Sequence, residues 1–271
     1  MKYFIFLFFS ISSFSQVLFE GVVKDAATKE ALQGASIYVP NSTRGTYTDP
    51  DGKFSLELPI TTKEIVVSFV GYTTIKTNID VSDGKNLNKT IYLREIKNEL
   101  NEVVFIKQKQ DKNWERMFQV FKTHFIGNSE IAREAEILNP EDVILNEEKT
   151  PGKYKLTANA NKPLQIKNKI TGYIISYELI QFNHIVIGHN QIFTFYLGYP
   201  FFKDITNEEK LNQKRVEKKR LEAYLGSSMH FIRALYNDKL LEEGFNVREL
   251  IKSRNPEYPS DVELEKIMAE V

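Results

Sequence analysis

The sequence predicts an α+β protein: a seven-stranded β-sandwich at the N-terminus, followed by an α+β domain with an antiparallel sheet and flanking helices. Three observations carry this. Between Val17 and Leu93, short runs of alternating apolar residues recur between Gly- and Asp-containing turns. From Asp111 the apolar period changes to three and four residues, and between Val143 and Leu197 it returns to two.

In the first segment, Phe19 to Val23 is a short strand, and Gly34 to Val39 is a second with Ala35, Ile37 and Val39 on one face. Gly45 to Thr48 and Lys53 to Leu58 flank the turn Asp49-Pro50-Asp51-Gly52 and are read as a hairpin. Ile65 to Val70 is a continuous apolar run, as a buried strand requires. Gly71-Tyr72 marks a tight corner before Thr73 to Ile79, and Asp83-Gly84 turns the chain into Leu87 to Leu93. Strands this short, at such even spacing, indicate a sandwich rather than a βαβ fold.

These residues resemble a known family. Gly21-x-Val23-x-Asp25-x-x-Thr28-x-x-Ala31-Leu32-x-Gly34-Ala35-x-Ile37, Thr43-x-Gly45-Thr46-x-Thr48-Asp49-x-x-Gly52-x-Phe54 and Ser68-x-x-Gly71-Tyr72 are similar to the carboxypeptidase regulatory-like domain. Ala31 stands where that family usually has proline. The resemblance implies a transthyretin-like (prealbumin-like) sandwich, of a kind abundant in secreted and outer-membrane proteins of Bacteroidota, including the front end of TonB-dependent nutrient transporters. Further on, Asn159-x-x-Lys162-Pro163-Leu164 and Gly226-Ser227-x-x-His230-Phe231-x-Arg233-Ala234-Leu235 resemble larger bacterial proteins that carry such a domain.

The first residues predict export. Lys2, the apolar run Tyr3 to Phe9, and Ser13-Phe14-Ser15 before Gln16 have the layout of a cleaved signal peptide, too short to span a bilayer. The expected division is residues 1–15 as signal peptide, 16–106 as the sandwich and 107–271 as the α+β domain. Glu102 to Ile106 is read as an added strand. The expected address is the periplasm, the outer membrane or the cell surface, with no transmembrane segment in the mature chain.

Cysteine is absent, which removes disulfides and thiolate chemistry together. Lysine plus arginine and aspartate plus glutamate both number 36, so no net field draws nucleic acid, and no nucleic-acid partner is expected.

In the second region Trp114, Met117, Phe118, Phe121 and Phe125 form one apolar helix face. Tyr154, Leu156, Ala158 and Ala160 alternate with polar residues, as do Tyr173, Ile175, Tyr177 and Leu179. His184 to Asn190 and Gln191 to Leu197 read as a further antiparallel pair. It ends in the aromatic cluster Tyr196, Tyr199, Phe201 and Phe202, which when exposed would stack on a sugar ring or dock a partner, and when buried would close the sheet. Thr206-x-x-Glu209 reads as a capping box, and Ser227 or Ser228 as the cap of a later helix.

No catalytic, metal or cofactor site is legible. The four histidines, His124, His184, His189 and His230, lie in no H-x-x-E or H-E-x-x-H arrangement. His184 and His189 fall on opposite faces of a regular strand. Asp49-x-Asp51-Gly52 lacks the remaining ligands of a calcium loop. His230 and Arg233, three apart on one helix, are the best candidates for a functional contact. Arg233 offers a planar fork to a carboxylate or acidic sugar, and the structural alternative pairs it internally. The expected function is a non-catalytic exported binding or scaffold protein that contacts an envelope protein or glycan. The alternative is an exported hydrolase of glycan or peptide using carboxylates of the second domain.

Overall fold

The computed structural model describes residues 16–96, 108–188 and 191–251. The expected signal peptide, the added strand at 102–106, the domain boundary at 106, and His189 lie outside the described residues. By its contacts the chain divides into two compact units, Met1–Arg220 and Leu221–Val271.

The sandwich has the seven expected strands: β1 (Gln16–Asp25), β2 (Ser36–Tyr38), β3 (Gly45–Tyr47), β4 (Lys53–Pro59), β5 (Glu64–Ser68), β6 (Ile75–Asn78) and β7 (Leu87–Leu93). They form a three-stranded sheet in the order β4-β1-β7 and a four-stranded sheet in the order β3-β2-β5-β6. Alternate residues of β1 and β4 point inward, so that Val17, Phe19, Val23, Phe54, Leu56 and Leu58 meet Ile37, Ile65 and Val67 of the other sheet. The expected hairpin at Asp49 to Gly52 is not one. β3 pairs with β2 and β4 with β1, so this turn carries the chain from one sheet to the other. Asp49 still builds the turn locally, its carboxylate accepting from the Asp51 and Lys53 amides at 3.0 and 2.8 Å.

The motif residues acquire physical roles. Asp25 ends β1 buried, and its carboxylate accepts from the amides of Ala27 and Thr28 (2.6 and 2.7 Å) and the hydroxyl of Tyr72 (2.8 Å). These donors hold it below the usual carboxylate range. Thr48 is buried and bridges the chain between strands, donating to the Leu32 carbonyl and accepting from the Ala35 amide. Gly71 has φ +86 at the corner after β5, with open space where a Cβ would stand. Backbone strain alone should therefore make Gly71→Val cost about 1–3 kcal/mol. An unchanged urea midpoint of the full chain would show that the corner tolerates a β-branched residue.

The third sheet has six strands: β8 (Ala135–Ile137), β9 (Val143–Thr150), β10 (Lys153–Ala160), β11 (Leu164–Asn168), β12 (Tyr173–Ile187) and β13 (Gln191–Asp204). One side of β12 pairs with β11 and then β10, and β13 pairs along the whole of the other. The two strand segments expected around residues 173–179 and 184–190 are thus one strand, with a register shift between Leu179 and Gln181. Helix α1 (Lys112–Ile126) starts at its cap Asp111, whose carboxylate accepts from the Asn113 and Trp114 amides. It lays the expected face, Trp114, Met117, Phe118, Phe121 and Phe125, on Leu145, Leu156, Leu164 and Phe182 of the sheet. A short helix, α2 (Glu130–Arg133), leads into β8.

The capping box does not form. After β13 the chain turns through residues 206–210, and helix α3 (Gln213–Tyr224) begins later, with Asn212 Oδ1 accepting from the Arg215 amide at 3.0 Å. Glu209 is drawn instead to Lys167 and Lys169. Arg220, part of the basic run, is structural: its guanidinium donates to the carbonyls of Thr171 and Gly172 and to Asp204, and lies 3.9 Å from the centre of the Tyr173 ring. Helix α4 (Ser228–Tyr236) is capped by Ser227, as expected.

Candidate functional site

Period two divides the predicted aromatic cluster between the two faces of β13. Tyr196 lies on the α1 side, its ring 5.3 Å from Phe125, and Phe202 packs edge-on against Tyr173 at 5.5 Å. Tyr199 and Phe201 turn the other way, towards the sandwich. Phe201 packs on Tyr38 at 5.2 Å, the Tyr38 hydroxyl donates to the Tyr199 carbonyl, and Lys76 lies over the Tyr199 ring. The backbones meet here too: the Asn41 amide donates to the Pro200 carbonyl and the Phe202 amide to the Ser42 carbonyl, both at 2.9 Å. Tyr199, Phe201 and Phe202 are therefore partly buried framework, not one exposed platform. The exposed aromatic residues of this strand are Phe193 (57 %) and Phe195 (54 %), further along the sandwich-facing side, and Tyr196 (46 %) on the opposite face.

Sequence reasoning missed Glu178. It sits opposite Tyr199 in the β12–β13 ladder, on the sheet face the sandwich covers, and alternation alone assigned that face to solvent. Its carboxyl opens into a cleft of about 140 Å³ lined by Ser36, Ser68, Phe69 and Tyr72 of the sandwich and by Asn161 and Pro163 of the sheet domain. Burial pushes the carboxyl above its ordinary range, with the Thr74 hydroxyl opposing. Among the described residues no cation pairs with it. A carboxyl raised in the fold contributes stability that is complete below its unfolded pKa and fades as pH rises through the folded value. Glu178→Gln should match the wild type in thermal midpoint near about pH 4 and exceed it near about pH 8. A constant difference across that range would contradict an upward shift at Glu178.

His230 and Arg233 do not share a surface. His230 is buried: its Nδ1 accepts from the Gly226 amide at 3.1 Å, which leaves Nε2 to donate to Glu243 at 2.9 Å, and its ring lies between Tyr224 and Phe245. It ties the turn at Gly226 to the segment around Glu243 and Phe245. Arg233 is exposed, its guanidinium 5.6 Å from the Tyr224 ring centre. His184 is buried too. Its Nδ1 shares a 2.9 Å hydrogen bond with Thr194, and its ring stacks on His124 at 3.8 Å. Burial and the neighbouring His124 hold its pKa down. Among the described residues no three histidine, aspartate or glutamate side chains are grouped to hold a metal ion, and no helix is long and apolar enough to cross a membrane.

Comparison with known proteins places the N-terminal part. Residues 19–105 match the model of the CarboxypepD_reg-like domain. Over 70 residues the chain is 44 % identical to the TonB-dependent receptor SusC of Bacteroides thetaiotaomicron, a match that covers 24 % of this chain and 6 % of that protein. Among solved structures, a DUF3823 family protein from Parabacteroides merdae is 11 % identical, with 72 % of this chain and 83 % of that one covered at a TM-score of 0.23. The C-terminal domain of the shaft pilin SpaA from Lactobacillus rhamnosus GG is 20 % identical, with 30 % of this chain and 98 % of that one covered, also at 0.23. The seven strands, the turns at Asp25 and Asp49 and the matching model together identify residues 19–105 of this chain as a carboxypeptidase regulatory-like domain.

Proposed function

We propose that the protein is an exported, non-catalytic binding protein of the bacterial cell envelope, and that its cleft between sandwich and sheet takes a sugar unit of an envelope glycan. The observation that carries this reading is the chemistry of the cleft. Two serine hydroxyls and the Asn161 amide supply both donors and acceptors, the Glu178 carboxyl supplies an acceptor, and Phe69 and Tyr72 supply a ring face. Glycoside hydrolysis uses two carboxyls across the scissile bond, and the residues lining the cleft bring one, Glu178. Export is supported by the layout of the first fifteen residues and by the likeness over 70 residues to a TonB-dependent receptor.

The test is calorimetric titration of the full-length protein with fragments of envelope polysaccharide, with chromatography of the same mixtures for released sugar. Saturable binding without product is expected, together with about tenfold weaker binding by Glu178→Ala, the loss of one hydrogen bond made in a buried site. Released product would favour a hydrolase. Binding unaffected by the substitution would move the site away from the cleft.

A further inference from the structure

We propose that β13 pairs, through its free edge, with β13 of a second copy of this chain, about a two-fold axis at Thr194. This does not depend on the glycan reading, because the residues concerned lie outside the cleft.

The strand's own hydrogen bonding shows which backbone groups are available. Pro200 uses its carbonyl, and Phe202 its amide, on the edge facing away from β12, where they meet Asn41 and Ser42. Strand alternation then directs the amides and carbonyls of Ile192, Thr194 and Tyr196 to that same edge. β13 pairs only with β12 in its sheet, and beyond the contact with Asn41 and Ser42 nothing among the described residues pairs with this edge. Pro200 is consistent with the assignment, since the amide it lacks would also have pointed outward.

Exposed edges are normally blunted by lysine, proline, a bulge or extreme shortness. From Gln191 to Gly198 this strand contains no charge and no proline, and every residue from Gln191 to Leu197 is exposed. The register shift lies on β12, leaving β13 regular. The same edge already accepts a backbone partner at its far end, at Ser42 and Phe201.

The sequence is also self-complementary. With the axis at Thr194, Ile192 faces Tyr196 of the second copy, Thr194 faces Thr194, and Phe193 faces Phe195 on both sides of the axis. Aromatic and threonine cross-strand pairs of this kind stabilise antiparallel ladders. No like charges meet, and the paired span, residues 191–197, ends before the positions held by Asn41 and Ser42. The result is a closed, isologous dimer with one sheet running through both copies.

Sedimentation equilibrium of the full chain between about 1 and 100 μM tests this. A concentration-dependent dimer is expected for the wild type. Phe193→Lys and Phe195→Glu should each weaken it at least about tenfold, since each places a charge against an aromatic ring. The double variant F193K/F195E, which sets a lysine of one copy against a glutamate of the other on both sides of the axis, should recover it. Both side chains are exposed, so the thermal midpoints of the variants should stay near wild type. Independently of any variant, exchange of the Ile192, Thr194 and Tyr196 amides should slow as concentration rises. A wild type that stays monomeric at about 100 μM, a dimer that persists in the single variants, or failure of the double variant to recover would each overturn the proposal. So would a monomer whose edge binds only an extended peptide of another protein.

Discussion

Phe121→Ala should lower the unfolding free energy of the chain by about 3–5 kcal/mol, the range for truncating a fully buried aromatic side chain. Phe121 has no exposed surface. It stacks on Phe125 at 5.0 Å, meets Phe182 of β12 edge-on at 4.9 Å and lies 6.2 Å from Phe118. Polar contacts also hold helix α1 to the sheet, Arg116 to Glu147 and the His124 ring on His184, but the row to which Phe121 is central supplies the apolar burial between them. The void left behind would be walled by rigid rings and by strands already fixed in register, so little collapse can relieve it. Because the core under α1 is a cluster separate from the sandwich core, hydrogen exchange should rise first in β9 to β12 and least in β1 and β4. A loss below about 1.5 kcal/mol would mean that α1 is only loosely docked.

The sandwich was legible in the sequence because each strand is short, has one buried face and is bounded by residues whose backbone chemistry makes turns. Where a turn leads was less legible. Asp49 to Gly52 has the local form of a hairpin turn, yet β3 and β4 belong to different sheets, a difference set by which sheet each apolar face meets. Thr206 and Glu209 have the spacing of a capping box, but two lysines within reach of Glu209 and the Arg220 guanidinium on Thr206 outweigh a cap whose worth is about 1 kcal/mol.

The candidate site was the least legible part. Tyr199 and Phe201 stood out as aromatic residues, and the structure uses them to join sheet to sandwich. Glu178, alternating with Tyr177 and Leu179, carries the pattern of an ordinary solvent-facing residue. Only the packing of a second layer over that face, fixed by Tyr38 and the Asn41 and Ser42 backbone, turns it into a carboxyl in a cleft. No local pattern encodes such a contact. His230 was conspicuous for the opposite reason: its neighbours Ser227 and Arg233 suggested chemistry, and its buried bond to Glu243 gives it a structural role.

Replacing Gly21 should be the most damaging single change in the sandwich, and for a reason different from Gly71. Gly21 has an ordinary extended backbone, so conformational strain is not at issue. Space is. A Cβ at Gly21 would stand 1.9 Å from the carbonyl oxygen of Lys89 and 3.0 Å from the Phe54 ring. Gly21 lies opposite Lys89 in the parallel β1–β7 ladder and opposite Phe54 in the antiparallel β1–β4 ladder, so the added atom is caught between two paired strands. The obstructing atom is backbone, and moving it means parting β7 from β1, which places Leu93 and the partners of Phe19 out of register. Gly21→Ala and Gly21→Val should therefore both cost about 4 kcal/mol or more, well above the effect at Gly71, and alanine should be nearly as harmful as valine. At Gly71, where the space is open and only φ is at fault, Asn should be tolerated better than Val. Urea titrations of these four variants separate the two causes. A Gly21→Ala variant within about 1 kcal/mol of wild type would mean that the β1–β7 ladder yields at this point at little cost.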